Sequence, residues 1–199
     1  YTHDAEIGCG RIESRSCGLF LVSCVSKLSR HDSDLCGEPD PRQQLILIQM
    51  NSDLWIAQVT ANDVPEIVRL ARLLKLEPWT ENDLSAELDR DNSTFLGIYK
   101  KRDGLIGFLN ARTIQGENDN SVDFELLNIG IEPENQKQGC GRLLIDALIA
   151  TGQSIGLANV FLEVRSANIS AIEFYRKYGF EVVGTRKDFY RNPKDDAYV

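Results

Sequence analysis

The chain has 199 residues, 42% of them hydrophobic and 26% charged, which is enough for one globular domain of ordinary size with a tail. Asp and Glu number 30 against 22 Lys and Arg, a net charge of -8 and the opposite of the excess expected of a free-standing nucleic-acid binder. The longest purely apolar runs, Leu19–Val22 and Leu45–Ile48, are too short to span a bilayer, and the composition excludes coiled-coil and collagen-like repeats.

The first 49 residues stand apart. They hold Cys9, Cys17, Cys24 and Cys36 and both histidines, His3 and His31. They lack sustained helical or strand periodicity, and Glu38-Pro39-Asp40-Pro41 marks a linker. Residue 1 is a tyrosine and the only methionine is Met50. Three readings stand open. Met50 is the true start, with an over-extended reading frame or part of a neighbouring segment upstream; the stretch is a genuine flexible extension; or it forms a small zinc site. The cysteine spacings match no Cys-x-x-Cys knuckle, so no metal is expected. An odd number of cysteines without a signal peptide argues against a secreted disulfide framework, and the expected location is the cytoplasm. The expected organisation is a disordered extension or read-through over residues 1–52 and a folded domain over 53–199.

Leu54–Thr60 alternates like a strand. Asp63-Val64-Pro65-Glu66 reads as a helix start, with a capping aspartate, an early proline and a capping-box glutamate. Val64, Ile67, Val68, Ala71 and Leu74 follow at helical spacing. Thr80 caps a second helix through about Asp89, with Asp83 at its third position. Thr94–Lys100 and Leu105–Thr113 are predicted strands around an Arg102-Asp103-Gly104 turn. Gln115–Ser121 is a polar loop and Val122–Ile131 a further strand. A helix from Cys140 to Ile155 carries Leu143, Leu144, Ala147, Leu148 and Ile155 as a buried stripe, and Gly156 closes it. Asn159–Arg165 is a strand, Asn168–Tyr178 a helix stopped by Gly179, and Phe180–Arg186 a strand. The order β-α-α-β-β-β-α-β-α-β mixes hairpins and crossovers, so the predicted fold is α/β (α+β) with a mixed, mostly antiparallel sheet.

Chemistry concentrates in Gln136-Lys137-Gln138-Gly139-Cys140-Gly141-Arg142, between a strand and a helix. The glycines let backbone N–H groups approach a ligand, and the helix dipole favours an anion such as pyrophosphate. An ordinary strand-to-helix turn is the competing reading. The loop is neither a P-loop nor a dinucleotide fingerprint. Glu163 is a carboxylate inside an otherwise apolar strand, where propensity disfavours it. It is either functional, on a sheet face open to water, or a partner of Arg165.

The segment resembles the acetyl-coenzyme A loop of the GNAT acetyltransferases, Gln/Arg-x-x-Gly-x-Gly/Ala, through Gln136, Gly139 and Gly141. Leu127–Ile131 and the Asn-x-x-Ala-x-x-x-Tyr-x-x-x-Gly-Phe run from Asn168 to Phe180 also match. Within that superfamily the chain is most similar to the RimI family of ribosomal-protein-alanine N-acetyltransferases, through Leu127-Asn128-Ile129, Leu162-Glu163-Val164-Arg165, Pro78-Trp79, Tyr190 and Asp195-Asp196-Ala197. The likeness covers about Leu54 to Val199.

The resemblance implies a GNAT fold and an acetyl-coenzyme A cosubstrate. It implies that Ile129, Gly130 and Ile131 hold the pantetheine and the thioester carbonyl, and that Lys137, Gln138, Gly139, Cys140, Gly141 and Arg142 wrap the pyrophosphate. It further places Asn168 near the thioester, Glu163 as general base, Tyr175 as general acid and Tyr190 in the peptide groove. Asn168 could equally cap its helix, and Tyr175 could equally be a core aromatic beside Ala171 and Ile172. Cys140 reads as a variable loop residue rather than a nucleophile, although a thiol at a helix N-terminus can have a lowered pKa. The implied acceptor is the α-amine of an N-terminal alanine on a small-subunit ribosomal protein, number eighteen, bound by a monomer. The alternatives are acetylation of lysine or small amines, or an acyl-coenzyme A sensor without turnover. Lys187-Asp188-Phe189-Tyr190 departs from the family's Arg-Asn-Tyr-Tyr tail, and the last strand is expected to begin only at Val199 and to be cut short.

Overall fold

The computed structural model describes residues 48–49, 53–76, 79–116 and 121–199. The expectations for residues 1–47 and 50–52, for Pro78 and for loop residues 117–120 lie outside the described residues.

Strands β1 (Ile48–Gln49), β2 (Leu54–Gln58), β3 (Ser93–Lys100), β4 (Gly104–Gln115), β5 (Val122–Ile131) and β6 (Leu157–Leu162) form one sheet in chain order. All neighbours are antiparallel except β5 and β6. That parallel step needs a crossover, and helix α3 (Cys140–Gln153) supplies it. Strands β7 (Val164–Arg165), β8 (Thr185–Arg191) and β9 (Lys194–Tyr198) make a second sheet with β9 in the centre. Helices α1 (Val64–Leu73) and α2 (Glu81–Leu88) lie between β2 and β3, and α4 (Ile169–Lys177) between β7 and β8.

The large sheet has a core on each face. On one, α3 lays Cys140, Leu144, Ile145 and Leu148 against Ile56, Ile98, Ile106, Leu109 and Phe124. On the other, Ile67, Val68 and Leu70 of α1 and Leu84 of α2 pack with Phe95, Leu105 and Phe108. Both Ile106 and Leu109 face α3 because β4 bulges: Ile98 pairs Gly107 and Tyr99 pairs Leu105, leaving Ile106 over. Gly107 is required there, since a Cβ would meet Ile131 Cδ1 at 2.5 Å and the Gly130 carbonyl at 2.7 Å.

The helix ends refine the sequence reading. Thr80 and Asp83 form the expected capping box: Thr80 Oγ1 accepts from the Asp83 N–H at 3.1 Å, and the Thr80 N–H donates to Asp83 Oδ2 at 2.9 Å. Asp63 does not cap α1 with its side chain. Its carboxylate reaches back to the Thr60 N–H and hydroxyl, both at 2.8 Å, closing a short 3₁₀ turn over Ala61–Asp63. Glu66 is thereby left for Arg69. Ile155 is exposed rather than part of the α3 stripe, because the helix ends at Gln153 and Gly156 turns the chain at φ +85°.

Several strand boundaries differ from expectation, and Ile48–Gln49, expected within a disordered extension, instead pairs with Ile56 and Trp55 of β2. The strand over Asn159–Arg165 divides at Glu163, where the chain leaves the large sheet for the small one. The strand after α4 runs over Thr185–Arg191, not Phe180–Arg186, since β9 pairs only from Thr185 onward. The last strand is already formed at Lys194–Tyr198, because β7 and β8 flank it on both sides.

Glu87 joins α2 to the sheet. Its carboxylate is 4% exposed and takes two hydrogen bonds from Arg112 on β4, Nε at 2.9 Å and Nη2 at 2.5 Å. Arg112 holds the Glu87 carboxyl below the usual range, against the opposing effect of burial. A depressed folded-state pKa contributes stability above the unfolded carboxyl's value of about 4.3, and that contribution is lost as pH falls through the folded value. Glu87→Gln is therefore expected to cost roughly 2 kcal/mol at pH 7, below the range for a fully buried pair because Arg112 is one-third exposed. The gap from the parent should narrow as pH falls below the unfolded value of about 4.3. Urea melts at pH 7 and pH 3.5 check this.

Candidate active site

The site begins at a bulge in β5. Asn110 pairs Asn128 and Ala111 pairs Leu126, so Leu127 has no partner across the strand pair. β6 follows β5 only as far as Leu126–Leu162. Beyond it, Asn128–Ile131 bond β4 on one side and no strand on the other among the described residues. The two strands part here, and a half-buried run of backbone donors and acceptors with no strand partner on this side among the described residues lines the opening. Ile129, Gly130 and Ile131, expected to hold the pantetheine, lie on that open edge.

Glu132 begins the next segment and fastens it. Its carboxylate accepts from Arg69 Nη2 of α1 at 2.8 Å and from buried Asn135 Nδ2 at 3.2 Å. Gln136 Nε2 donates to the Ile131 carbonyl at 2.9 Å, and Gln138 Nε2 to the Glu134 carbonyl at 2.7 Å. Lys137 and Gly139 both take positive φ, +59° and +89°. Gly139 is the N-cap of α3 and brings no side chain to its first turn. The leading amides of the 14-residue helix thus have no side-chain cap from their N-cap residue, the arrangement that suits an anionic acceptor.

Lys137 is exposed on this loop. Arg142, one turn into the helix, lies 3.3 Å from Asp146 and 5.9 Å over the Tyr178 ring. Gly141 is close under Phe174, whose Cζ would be 3.1 Å from an added Cβ. Uncapped amides, two cations and an open strand edge fit the pyrophosphate and amide-bearing arm of an acyl-coenzyme A. Cys140 presents only its backbone to the loop. Its side chain is 4% exposed in the core, and burial pushes the thiol's pKa up. A thiol activated by the helix N-terminus is therefore not what the fold provides.

Glu163 stands where the chain passes from β6 to β7, beside the parting of the sheets. Its partner is not Arg165: Glu163 Oε1 lies 2.5 Å from Arg186 Nη1 of β8. Partial burial raises the Glu163 carboxyl's pKa, Arg186 works against that rise, and Glu125 adds to it. Arg165 instead donates to the Pro193 and Asn192 carbonyls and stacks 3.9 Å from the Tyr190 ring centroid. Tyr190 is thereby held over the small sheet.

Asn168 is the N-cap of α4, its Oδ1 accepting from the Ala171 N–H at 3.2 Å. Tyr175, on the same helix, packs its ring 5.5 Å from Phe180 and lines a cavity of about 70 Å³ together with Leu162 and Val164. Burial raises its phenol well above the usual tyrosine value, with a further push from Tyr190. The fold therefore gathers Glu163 and Arg186 at the sheet junction, and Tyr175 with Tyr190 on the elements beside it. The loop 136–142 follows the open edge in the chain and is tied to it through Gln136 and the Ile131 carbonyl. Sequence reasoning missed Arg186 as a neighbour of Glu163. The only signal was its place ahead of the altered tail, and the contact itself requires the β8–β9 hairpin.

The acetyltransferase (GNAT) family profile matches residues 64–180. A relative from Salmonella typhimurium, [ribosomal protein bS18]-alanine N-acetyltransferase, is 37% identical over 147 residues, covering 72% of this chain and 93% of its own. The crystal structure of the Escherichia coli ribosomal-protein-S18-alanine N-acetyltransferase superposes with a TM-score of 0.62 at 25% identity, over 73% of this chain and 90% of that one. Arabidopsis thaliana NAA60 in complex with acetyl-CoA shares the fold, with a TM-score of 0.65 at 16% identity over 73% of this chain and 95% of the other. The chain belongs to the GNAT family of acetyltransferases.

Proposed function

We propose that the chain transfers acetyl from acetyl-coenzyme A to the α-amine of a protein N-terminus, with an N-terminal alanine on a basic ribosomal protein as the favoured acceptor. The observation that carries this reading is the position of Glu163. A partly buried carboxylate stands at the point where β5 and β6 part, between an open strand edge and a hairpin bearing Tyr190. The names borne by the relatives support the same acceptor class.

Acetyl-coenzyme A supplies an activated acetyl group as a thioester. The open edge at Ile129–Ile131 binds its amide-bearing arm and offers an N–H to the thioester carbonyl oxygen. Gly139–Arg142 amides and Lys137 hold the pyrophosphate. An α-amine has a pKa of about 7.7–8.0 and is mostly protonated at neutral pH. Glu163 accepts that proton and leaves a nucleophilic amine. Tyr175 stays protonated because of its burial, so its hydroxyl can donate to the departing sulfur. Asn168, engaged in its cap, fixes the start of the helix that carries Tyr175. No covalent acyl-enzyme is required, and buried Cys140 has no part in the chemistry.

Mass spectrometry of two peptides incubated with the protein and acetyl-coenzyme A tests the acceptor. One carries a free N-terminal alanine followed by basic residues, the other a blocked N-terminus and an internal lysine. Acetyl on the alanine amine alone is expected. Acetyl on lysine would move the reading to a side-chain acetyltransferase, a shift that the exposed Lys187-Asp188-Phe189 segment would then explain.

Lys137 gives a separate check on the loop. Loss of one exposed charge-assisted contact to a phosphate is worth about 1 kcal/mol, so Lys137→Ala should weaken coenzyme A binding about fivefold by calorimetry. The effect should shrink as salt rises.

A further inference from the structure

We propose that Arg186 is a positioning residue for Glu163: before peptide binds, its guanidinium holds the carboxylate, and the substrate's α-ammonium then takes over that seat. The inference rests on the reading of Glu163 as the base. The pair is close, 2.5 Å between Nη1 and Oε1, and unequally buried, with Arg186 58% and Glu163 24% exposed. The carboxylate is thus the fixed partner and the arginine the removable one. Arg186 also has a second place to rest, since its guanidinium carbon lies 5.6 Å over the Phe189 ring, within cation–π range.

The exchange matters because the two cations differ in one respect. A guanidinium does not give up a proton in a protein, so a carboxylate paired with it has nothing to accept. An α-ammonium can lose one, and in the same seat it passes its proton to Glu163, leaving a neutral amine and a carboxylic acid. The charges acting on Glu163 come from two elements. Arg186 on β8 favours the carboxylate and Glu125 on β5 disfavours it. Asp195 and Asp196 on β9 are tied to Ser166, Ala167 and the Asp188 N–H, and Tyr175 of α4 is kept neutral by burial.

Two pH profiles separate this role from a structural one, because kcat/KM reports the free enzyme and kcat the enzyme–substrate complex. In Arg186→Gln, the acid limb of kcat/KM for the alanine peptide should move to higher pH. That would appear as about a tenfold gain above the limb, where the peptide must displace Arg186 in the parent, and less than about a twofold change on its acid side, where Glu163 is protonated and unpaired in both enzymes. The acid limb of kcat should stay in place, because the peptide has already displaced Arg186 there. Arg186→Lys should restore the parent kcat/KM profile. Unmoved limbs in both profiles, or limbs that move together, would overturn the proposal. A parallel Glu163→Gln distinguishes the two failures. If that variant loses the acid limb while Arg186→Gln keeps it, only the role of Arg186 falls. If Glu163→Gln keeps both rate and limb, the base assignment falls and this inference with it.

Discussion

Glu163→Gln is expected to lower kcat for acetyl transfer by about 10²–10⁴-fold, the range in which a positioned general base contributes. Glutamine keeps the size of the side chain at the β6–β7 junction and removes only its capacity to take a proton. Coenzyme A affinity, measured by calorimetry, should hold within about twofold, because the cofactor contacts assigned here come from the β5 edge and the loop before α3. The pH profile carries the sharper signature. Burial raises the Glu163 carboxyl's pKa. Activity that depends on the carboxylate is therefore lost as pH falls through that raised value, and the acid limb should vanish in the glutamine variant. A glutamine enzyme with parental kcat and an intact limb would place the base elsewhere.

The second large effect is at Tyr175. Tyr175→Phe should reduce kcat about 10²-fold and change KM for acetyl-coenzyme A by no more than about twofold. The ring contributes to packing through Phe174 and Phe180, and phenylalanine preserves those contacts. Stability should then change little, and any loss of rate belongs to the hydroxyl. Burial holds this phenol above its usual pKa of about 10, so in the parent enzyme Tyr175 should contribute no alkaline limb below that pH. Stopped-flow or steady-state thiol release from pH 6 to 10 reads both points. An unaltered kcat would leave Tyr175 as a packing residue only.

The two outcomes are linked by how the chain reaches them. Asn168, Tyr175 and Gly179 are local in sequence, and their spacing alone describes a capped helix with an aromatic on one face. The structure returns that helix as Ile169–Lys177 with the cap in place. Glu163 is different. An acidic residue in an apolar strand signals that something is unusual, without saying what. Its neighbour on the page of the sequence, Arg165, turns away to hold Tyr190 and the Asn192–Pro193 carbonyls. Its actual partner, Arg186, arrives from a strand beyond α4.

Periodicity, caps and turn residues were sufficient to determine most element types, the capped start of α2, and the glycine loop before α3. These are short-range properties, set by side-chain spacing and by hydrogen bonds a few residues apart. Family resemblance added the roles. What only the tertiary structure decided depends on partners far away in the chain: the bulge at Leu127 that parts β5 from β6, the break of the predicted strand at Glu163, the shift of β8 to Thr185–Arg191, and the burial of Cys140. Strand limits follow from which neighbour is present to complete the ladder, and that is settled by register across sheets rather than by the strand's own residues. The ionisation of Glu163 belongs to the same class, because the burial and the two charges that shift it meet only when both sheets are assembled.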